Sequence, residues 1–437
     1  MFERIFALKQ HGTTVRTEVI AGLTTFLTMA YIVVVNPSIL AETGMPLAAV
    51  AAATCLAAAF GSIVMGLAAN YPLALAPGMG LNAYFTYTVV KGMGVPWETA
   101  LGCVFLSGVA FAVLTLVGVR QLIMRSLPPS LFAAVGGGIG LFIAFIGLKD
   151  AGVIVSNPAT SVGLGNLTSA TVALSLGGLI LIAVLQALRV KAAILIGILA
   201  VTAASWGLGL THLTPGAYRP DISATAFKLD VGAAMNLKGG FGGALLEIVF
   251  VFLFVDLFDN VGTLAAVTKR AGLVAPDGSV PRLNKILLAD SAATIFGSLM
   301  GTSTTTSYIE SAAGVSVGGR TGLTSVVVGL LFLATLFLAP LVQAVPIAAT
   351  APALILVGAL MMTAVLEVDW HDPVISLPAF LTLITIPLTY SIANGLAFGI
   401  TSYALMILFT GRARRSDWLL FVLATLFVLR FIYLAKV

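Results

Sequence analysis

The feature that most constrains this chain is a succession of long apolar runs that continues almost from end to end. Only 9% of the 437 residues are charged, against roughly 25% in soluble domains. So few charges cannot build a water-facing surface, so the surrounding medium is lipid, where the backbone must satisfy its own hydrogen bonds. Because the runs are continuous rather than alternating, they predict an all-α polytopic membrane protein and not a β-barrel.

The apolar runs predict about fourteen transmembrane segments, since a spanning helix needs about 20 residues. A polar stretch after the seventh divides them into two groups of seven. The predicted segments are 17–40, 47–69, 79–90, 98–119, 129–147, 170–188 and 191–210, then 243–268, 285–300, 307–318, 321–343, 349–366, 374–390 and 393–410. A further apolar stretch at 417–435 either spans again or lies along the interface.

Basic residues in the loops predict the orientation. With a cytoplasmic N-terminus, the loops after segments 4, 6, 8, 10 and 14 are cytoplasmic, and they hold most of the basic residues. These are Arg120, Arg125, Arg189, Lys191, Lys269, Arg270, Arg282, Lys285, Arg320, Arg412, Arg414 and Arg415. The expected location is a bacterial cytoplasmic (inner) membrane. The net charge of +5 is explained by these loops and indicates no nucleic-acid partner.

The third and tenth segments are too short to cross the membrane. Each follows a stretch rich in helix breakers or hydroxyl residues, at 71–80 and 297–306, where a helix is easily interrupted. Each is third in its group, and because seven is odd the second group enters the membrane inverted. Short segments at matching positions of inverted repeats predict a transporter's midplane site. The alternative is two re-entrant loops with only a structural role.

Segment 8 carries acidic residues deep in apolar surroundings. Asp256, Asp259 and Thr263 are spaced i, i+3 and i+7, so they share one helix face. Acids within a membrane are costly and usually face a cavity or a proton path. Two poorly solvated carboxyls one turn apart should not both be charged at neutral pH, which suits proton coupling. We therefore expect H⁺ as the coupling ion and no cofactor. The alternative is that Asp256 or Asp259 only hydrogen-bonds backbone groups where a neighbouring helix is interrupted.

A second acid, Glu310, follows a run of hydroxyl residues at the start of segment 10. Those hydroxyls are expected to cap the free N–H groups of the short helix, whose positive end favours an ionised Glu310. Tyr308 and Ile309 belong to the same stretch, and we expect them to contact the substrate as well. The alternative is that Glu310 only caps its own helix.

The matching half-helix of the first repeat offers Asn82, Ala83 and Phe85 as binding candidates. An Asn side chain can donate and accept hydrogen bonds, and an aromatic ring can stack on a planar solute, although it is more often packing. Thr28 in segment 1 either lines the site or joins helices. Asp290 in segment 9 is a midplane acid or, as we favour, a helix–helix hydrogen bonder. The three histidines lie in loops or tails, which argues against a metal site.

Four stretches are specific enough to serve as motifs. They are TTFLTMAYIVVVNPSIL from Thr24, ALAPGMGLNAYFTY from Ala74, FVDLFDNVGTL from Phe254 and GTSTTTSYIESAAGVSVGGRTGLT from Gly301. With these motifs the chain resembles the AzgA-like hypoxanthine/guanine/adenine permeases, a branch of the nucleobase–ascorbate transporter group. The resemblance covers nearly the whole chain.

The resemblance implies two inverted seven-segment repeats, with short strands that precede half-helices 3 and 10 and pair at the midplane. It also implies a core domain, a gate domain that the core moves against, and a homodimer. Carried over by position, core would occupy 1–126 and 241–345 and gate 127–211 and 346–411, with an exposed linker at 212–240 and a basic turn and apolar helix at 412–437.

The resemblance further implies proton-coupled import of adenine, guanine and/or hypoxanthine. The substrate carboxylates would be Asp256 and Glu310, with Asn82 the polar position of segment 3 and Asp259 a second acid. Relatives that take uracil or xanthine have Glu and, one turn later, His where this chain has Asp256 and Asn260, so their proton route need not transfer. Two alternatives remain at this stage, an anion transporter of the same fold and, more remotely, an intramembrane aspartyl protease.

Overall fold

Helices account for nearly all of the regular structure, as the continuous apolar runs predict. The computed structural model describes residues 2–118, 128–211, 222–236, 242–275 and 280–434. It contains two compact units. The first comprises Met1–Leu116 and Gly147–Ala353, and the second comprises Val117–Ile146 and Leu354–Val437.

Fourteen helical segments occupy the predicted positions in the described chain. Segments 1 to 7 are Val15–Ala41, Leu47–Ala69, Met79–Ala83 with Tyr84–Gly92, Trp97–Val117, Pro129–Asp150, Ala170–Ala187 and Ala193–Gly207. Segments 8 to 14 are Gly242–Ala271, Leu283–Met300, Ser311–Ser316, Gly322–Thr335 with Leu336–Ala344, Ile347–Glu367, Pro373–Thr389 and Ile392–Phe409. Seven of these, counted over the described residues, are long and apolar enough to cross a membrane.

Two short strands replace helix at the interruptions, as the resemblance implies. Strand β1, Leu75–Pro77, pairs antiparallel with β4, Thr305–Ser307, and Ala76 lies opposite Thr306. Antiparallel pairing satisfies the backbone groups that an interrupted helix leaves open within the lipid layer. Half-helix 3 (Met79–Ala83) follows strand β1, and half-helix 10 (Ser311–Ser316) follows strand β4, each after a short connection.

Equivalent segments of the two repeats brace the two strands in the same way. In segment 2 the Ser62 hydroxyl bonds the backbone of Leu75, accepting from its N–H at 2.9 Å and donating to its carbonyl at 3.2 Å. In segment 9 the Thr294 hydroxyl donates to the carbonyl of Thr305 at 2.9 Å. Each second segment of a repeat therefore supports its own strand, which fits the predicted inverted repeat.

A β-hairpin lies between segments 5 and 6, where the sequence indicated only a loop. Strand β2, Ile154–Asn157, pairs antiparallel with β3, Ser161–Leu164. The Asn157 side chain accepts from the backbone N–H of Ala159 at 2.8 Å, which closes the turn as an Asx motif. Four-residue strands with no clear alternation give little signal in sequence.

The stretch between the repeats, predicted as an exposed linker over 212–240, is not exposed along its whole length. Thr225 is fully buried and its hydroxyl donates to the carbonyl of Met300 at 3.0 Å. It fits there because Gly301 has no side chain and adopts a φ of +97°. Residues 212–221 and 237–240 of the linker lie outside the described residues, as do Arg120 and Arg125.

The compact units do not follow the predicted core and gate. Segments 6 and 7, assigned to the gate, belong to the first unit. Compactness in one conformation does not decide which segments move together, so the core and gate bounds stay predictions. In the second unit, a final helix, Trp418–Leu434, packs on segment 14, where the Phe398 and Phe431 rings lie 5.5 Å apart.

Segments 2 and 11 approach each other through two glycines. A Cβ added to Gly322 would lie 1.9 Å from the carbonyl oxygen of Gly66. Small residues of this kind let membrane helices pack backbone to backbone.

We expect Gly322→Ala to destabilise the protein by roughly 1–3 kcal/mol, the usual cost of overpacking, because a backbone oxygen cannot move aside. Thermal unfolding of the purified protein in detergent would measure this. Gly177→Ala is the matched control, since nothing lies within 4 Å of its added Cβ. Equal melting temperatures for the two variants would contradict the close approach.

Candidate functional site

The candidate site lies where strand β4 ends and half-helix 10 begins. Ser307, Tyr308, Ile309 and Glu310 occupy this junction. The N–H of Tyr308 donates to the carbonyl of Ala74 at 2.9 Å, so the strand pairing continues up to the junction. The backbone that carries these four residues is thereby fixed against the first repeat.

Glu310 is held by a tyrosine of segment 1. The Tyr31 hydroxyl donates to Oε1 of Glu310 at 2.8 Å, and Tyr31 is fully enclosed while Glu310 is half-buried. Glu310 directly precedes the helix Ser311–Ser316 but makes no side-chain capping bond to it. The alternative that Glu310 only caps its own helix is therefore wrong, and its carboxylate is aimed by Tyr31 instead.

Tyr308 lies within electrostatic range of both Glu310 and an acid of segment 8. Its hydroxyl donates to the carbonyl of Pro77 at 2.5 Å, which ties the junction to strand β1. Both Glu310 and Asp259 lie close enough to act electrostatically on Tyr308. The structure thus brings Asp259, Tyr308, Tyr31 and Glu310 into one polar cluster.

Asp256 reaches the same junction by a different route. It is buried, and the Asn260 amide donates both to its Oδ1 at 3.3 Å and to Oδ2 of Asp290 at 2.6 Å. The other oxygen of Asp290 accepts from the Ser307 hydroxyl at 3.3 Å. A chain of buried side chains therefore connects Asp256 through Asn260 and Asp290 to strand β4.

Sequence reasoning gave Asn260 no role of its own and placed Asp290 outside the candidate site. Asp290 does accept bonds from other elements, as the favoured interpretation expected, but its partners lie on segment 8 and on the site strand. The available signal was the spacing of Asp256 and Asn260, which are one helical turn apart and so share a face.

Asn82 of half-helix 3 is fully buried, and only one end of its side-chain amide is hydrogen-bonded among the described residues. Its Oδ1 accepts from the Ser303 hydroxyl, while its Nδ2 has no hydrogen-bond partner among the described residues. Asn82 can therefore offer an N–H donor to a solute. The neighbouring Ala83 is buried as well.

Phe85 is fully buried against other aromatic side chains. Its ring lies 6.4 Å from that of Phe252, which also packs edge-on against Tyr84 at 5.2 Å. No face of Phe85 is open to a solute in this conformation, since its exposed fraction is 0%. Stacking by Phe85 would require these rings to move, and the role stays a prediction.

The hydroxyl groups around the junction are used differently from the expectation. Residues 304–306 lie on or beside strand β4 and their hydroxyls have no partner among the described residues. They do not cap half-helix 10, because they lie on or before strand β4, which ends at Ser307, whereas the helix begins at Ser311. The Thr28 hydroxyl donates to the carbonyl of Thr25 at 2.7 Å within its own helix. Ile309, by contrast, is 51% exposed and is available for contact.

The arrangement suits a small polar solute. Carboxylate oxygens of Glu310 accept hydrogen bonds and Nδ2 of Asn82 donates one, while Ile309 adds an apolar contact. Such a mixture of few polar groups on an apolar background is typical of small-molecule sites.

Comparison with known proteins gives matches over nearly the whole chain. Residues 16–398 match the permease family. The chain is 48% identical over 434 residues to the adenine permease AdeP of Escherichia coli K12, covering 99% of this chain and 96% of that protein. It is 44% identical over 440 residues to the guanine/hypoxanthine permease PbuG of Bacillus subtilis 168, covering 98% and 99%.

Solved transporter structures share the fold at low sequence identity. The transmembrane domain of a cyanobacterium bicarbonate transporter, BicA, matches with a TM-score of 0.60 and 16% identity, over 94% of this chain and 97% of that one. The murine anion transporter Solute Carrier 26 family member A9, in its inward-facing state, matches with a TM-score of 0.64 and 13% identity, over 90% and 68%. These matches confirm the predicted fold.

We expect Asn260→Ala to destabilise the protein by roughly 1–3 kcal/mol, because buried acceptors on Asp256 and Asp290 lose their shared donor. The double variant with Asp290→Ala should cost less than the sum of the single variants, since the two side chains interact directly. Chemical or thermal unfolding in detergent measures both. Asn166→Ala, at an exposed position, is the control, and strictly additive effects would contradict the network.

Proposed function

The chain belongs to the permease family, and from this membership we propose that it imports purine nucleobases (adenine, guanine and/or hypoxanthine) by proton symport. The resemblance seen in the four sequence motifs is thereby confirmed. Members of this family are transporters and not enzymes, so the chain is a multi-pass membrane transport protein. The intramembrane aspartyl protease considered from the sequence is excluded.

The purine substrate is supported by the relatives' names and by the chemistry of the junction. A purine edge carries N–H donors beside ring-nitrogen acceptors. We propose that Glu310 and Asp256 accept from the N–H groups and that Asn82 donates through Nδ2. Tyr308, Ile309, Ala83, Phe85 and Thr28 would complete the pocket. The observation that carries the proposal is the Glu310 carboxylate, fixed by Tyr31 at the strand–helix junction.

Proton coupling is proposed for Asp256, Asp259 and Glu310. All three lie within the membrane-spanning part of the chain, where an ionised side chain is costly and a proton on a carboxyl removes that cost. A proton on one carboxyl would remove a charge that otherwise has to be desolvated, so proton and purine binding would favour each other by linkage. H⁺ is then the coupling ion.

Transport itself is proposed to follow an elevator-like alternating-access motion, with the predicted core moving against the predicted gate. The inverted repeats support this, because such repeats exchange conformations to open a fixed site on either side. We further propose a bacterial inner-membrane location, from the bacterial relatives, and a cytoplasmic N-terminus, from the loop charges. A homodimer is proposed from the family resemblance alone.

An anion transporter of the same fold is the rival function, since the structural matches include anion transporters. Acidic side chains at the site oppose an anion by charge repulsion, and both Asp256 and Glu310 belong to the proposed site. Competition separates the two functions. Unlabelled adenine should reduce uptake of labelled hypoxanthine, and sulfate should not. Inhibition by sulfate but not by adenine would favour the rival.

Glu310→Gln should abolish purine uptake while the protein still reaches the membrane, because an amide offers only one acceptor and carries no charge. Uptake of labelled adenine, guanine and hypoxanthine is measured in a permease-deficient cell, with and without a protonophore, and membrane protein is quantified by immunoblot. The exposed Glu367→Gln is the matched control. Normal uptake by the Glu310 variant would refute its assigned role, and uptake unaffected by the protonophore would refute proton coupling.

A further inference from the structure

Segment 1 contains a fully buried glutamate that the proposed transport mechanism does not use. Glu18 has an exposed fraction of 0%. Its Oε1 accepts from the backbone N–H of Arg320 at 2.9 Å. Its Oε2 accepts from the N–H groups of Thr321 and Thr324, each at 3.3 Å, and from the Thr324 hydroxyl at 2.6 Å.

These partners lie at and just before the start of segment 11, where a helix leaves N–H groups without intrahelical acceptors. In most helices a local side chain caps them. Here the N-cap residue Thr321 accepts only the N–H of Leu323, at 3.4 Å. A distant segment takes others, since Glu18 and Thr324 are 306 residues apart in sequence. Asn70 adds a further bond, in which its Oδ1 accepts from the N–H of Gly322 at 2.7 Å. The start of segment 11 is therefore fastened to segments 1 and 2.

All four groups that bond to the Glu18 carboxylate are donors. Three of them are backbone N–H groups, which can only donate, whereas the Thr324 hydroxyl can donate or accept. The positive end of segment 11 also favours a negative charge at this point. Glu18 is thus suited to accept several hydrogen bonds from the start of one helix.

The anchored loop is also the end of half-helix 10. The Arg320 guanidinium donates to the carbonyls of Val315 and Gly319 at 2.8 and 2.7 Å, which closes the C-terminal end of that half-helix. Glu18 bonds the backbone N–H of the same arginine. The carboxylate therefore holds half-helix 10 at the end opposite to Glu310.

Segment 1 also contacts half-helix 10 between its two ends. A Cβ on Gly314 would lie 2.1 Å from the Thr25 hydroxyl and 2.6 Å from the carbonyl of Ala21. At the tip, Tyr31 bonds Glu310. Segment 1 thus supports half-helix 10 from Glu18 at one end to Tyr31 at the other.

We propose that Glu18 is a positioning residue, a hydrogen-bonded anchor that fixes half-helix 10 on segment 1 and so places Glu310 at the site. It takes no part in proton transfer. The anchor itself stands on the geometry, whereas its effect on transport rests on the proposed function.

The test compares Glu18→Gln with Glu18→Asp. Gln keeps the length but turns an N–H₂ group toward N–H donors, whereas Asp keeps two acceptor oxygens on a shorter arm. We expect Glu18→Gln to lower the melting temperature in detergent and to raise KM for the purine about tenfold, the loss expected for a hydrogen bond to a charged group. The pH profile and protonophore sensitivity of the remaining uptake should match the wild type. Glu18→Asp should recover part of both losses.

Glu3→Gln is the matched control, because Glu3 also accepts a backbone N–H, that of Lys9, but at an exposed position. If Glu18→Gln does not fold, Thr324→Val removes one donor and should show the same lowered melting temperature and raised KM in milder form. A shifted pH profile or lost protonophore sensitivity in Glu18→Gln, with unchanged melting temperature, would overturn the proposal and make Glu18 a proton carrier. Wild-type behaviour in every assay would overturn it too.

The melting temperature needs no substrate. It therefore tests the anchor even if the wild type takes up no purine, a result that would refute the proposed function alone.

Discussion

The structure depends on one constraint, that every backbone N–H and C=O within the lipid layer must find a partner inside the protein. Half-helices 3 and 10 break the usual helical solution. The β1–β4 pair restores it, extended by the bonds from Gly78 N–H to Thr304 and from Tyr308 N–H to Ala74. Once the two interruptions are paired with each other, the first and second repeats are joined at their centres.

That pairing explains where the polar side chains lie. Strand β4 is braced from segment 9 by Thr294 and leads directly into Tyr308 and Glu310. The two repeats also share a polar contact between their first and second segments. Asn36 donates to Thr54 at 2.7 Å in one, and Asn260 donates to Asp290 at 2.6 Å in the other. Both partners are uncharged side chains in the first repeat, whereas the contact in the second repeat includes an acid, Asp290, beside the site.

The buried acids have different surroundings and therefore suit different tasks. Glu18 is surrounded by donors at a helix start, an arrangement that keeps a charge in place. Asp256 and Asp290 share the Asn260 amide, so a change at one carboxyl is felt at the other. Glu310 is half-buried and is oriented by the bond from Tyr31, so part of its surface can meet a solute. The proposed proton coupling would use both kinds of acid, since the scaffold would have to stay fixed while the site changed charge.

The sequence by itself determined the membrane class, the fourteen segments and the interruptions, because hydropathy and helix breakers are local properties of the chain. It also singled out Asp256, Asp259 and Glu310, because charge is rare in apolar runs. Only the tertiary structure decided the partners, since Tyr31 and Glu310 are 279 residues apart and no local pattern pairs them. Contacts between distant segments also decide three further features. Nδ2 of Asn82 has no partner among the described residues, the Phe85 ring is enclosed, and Glu18 anchors segment 11. Packing across the two repeats creates these contacts, and sequence periodicity does not record them.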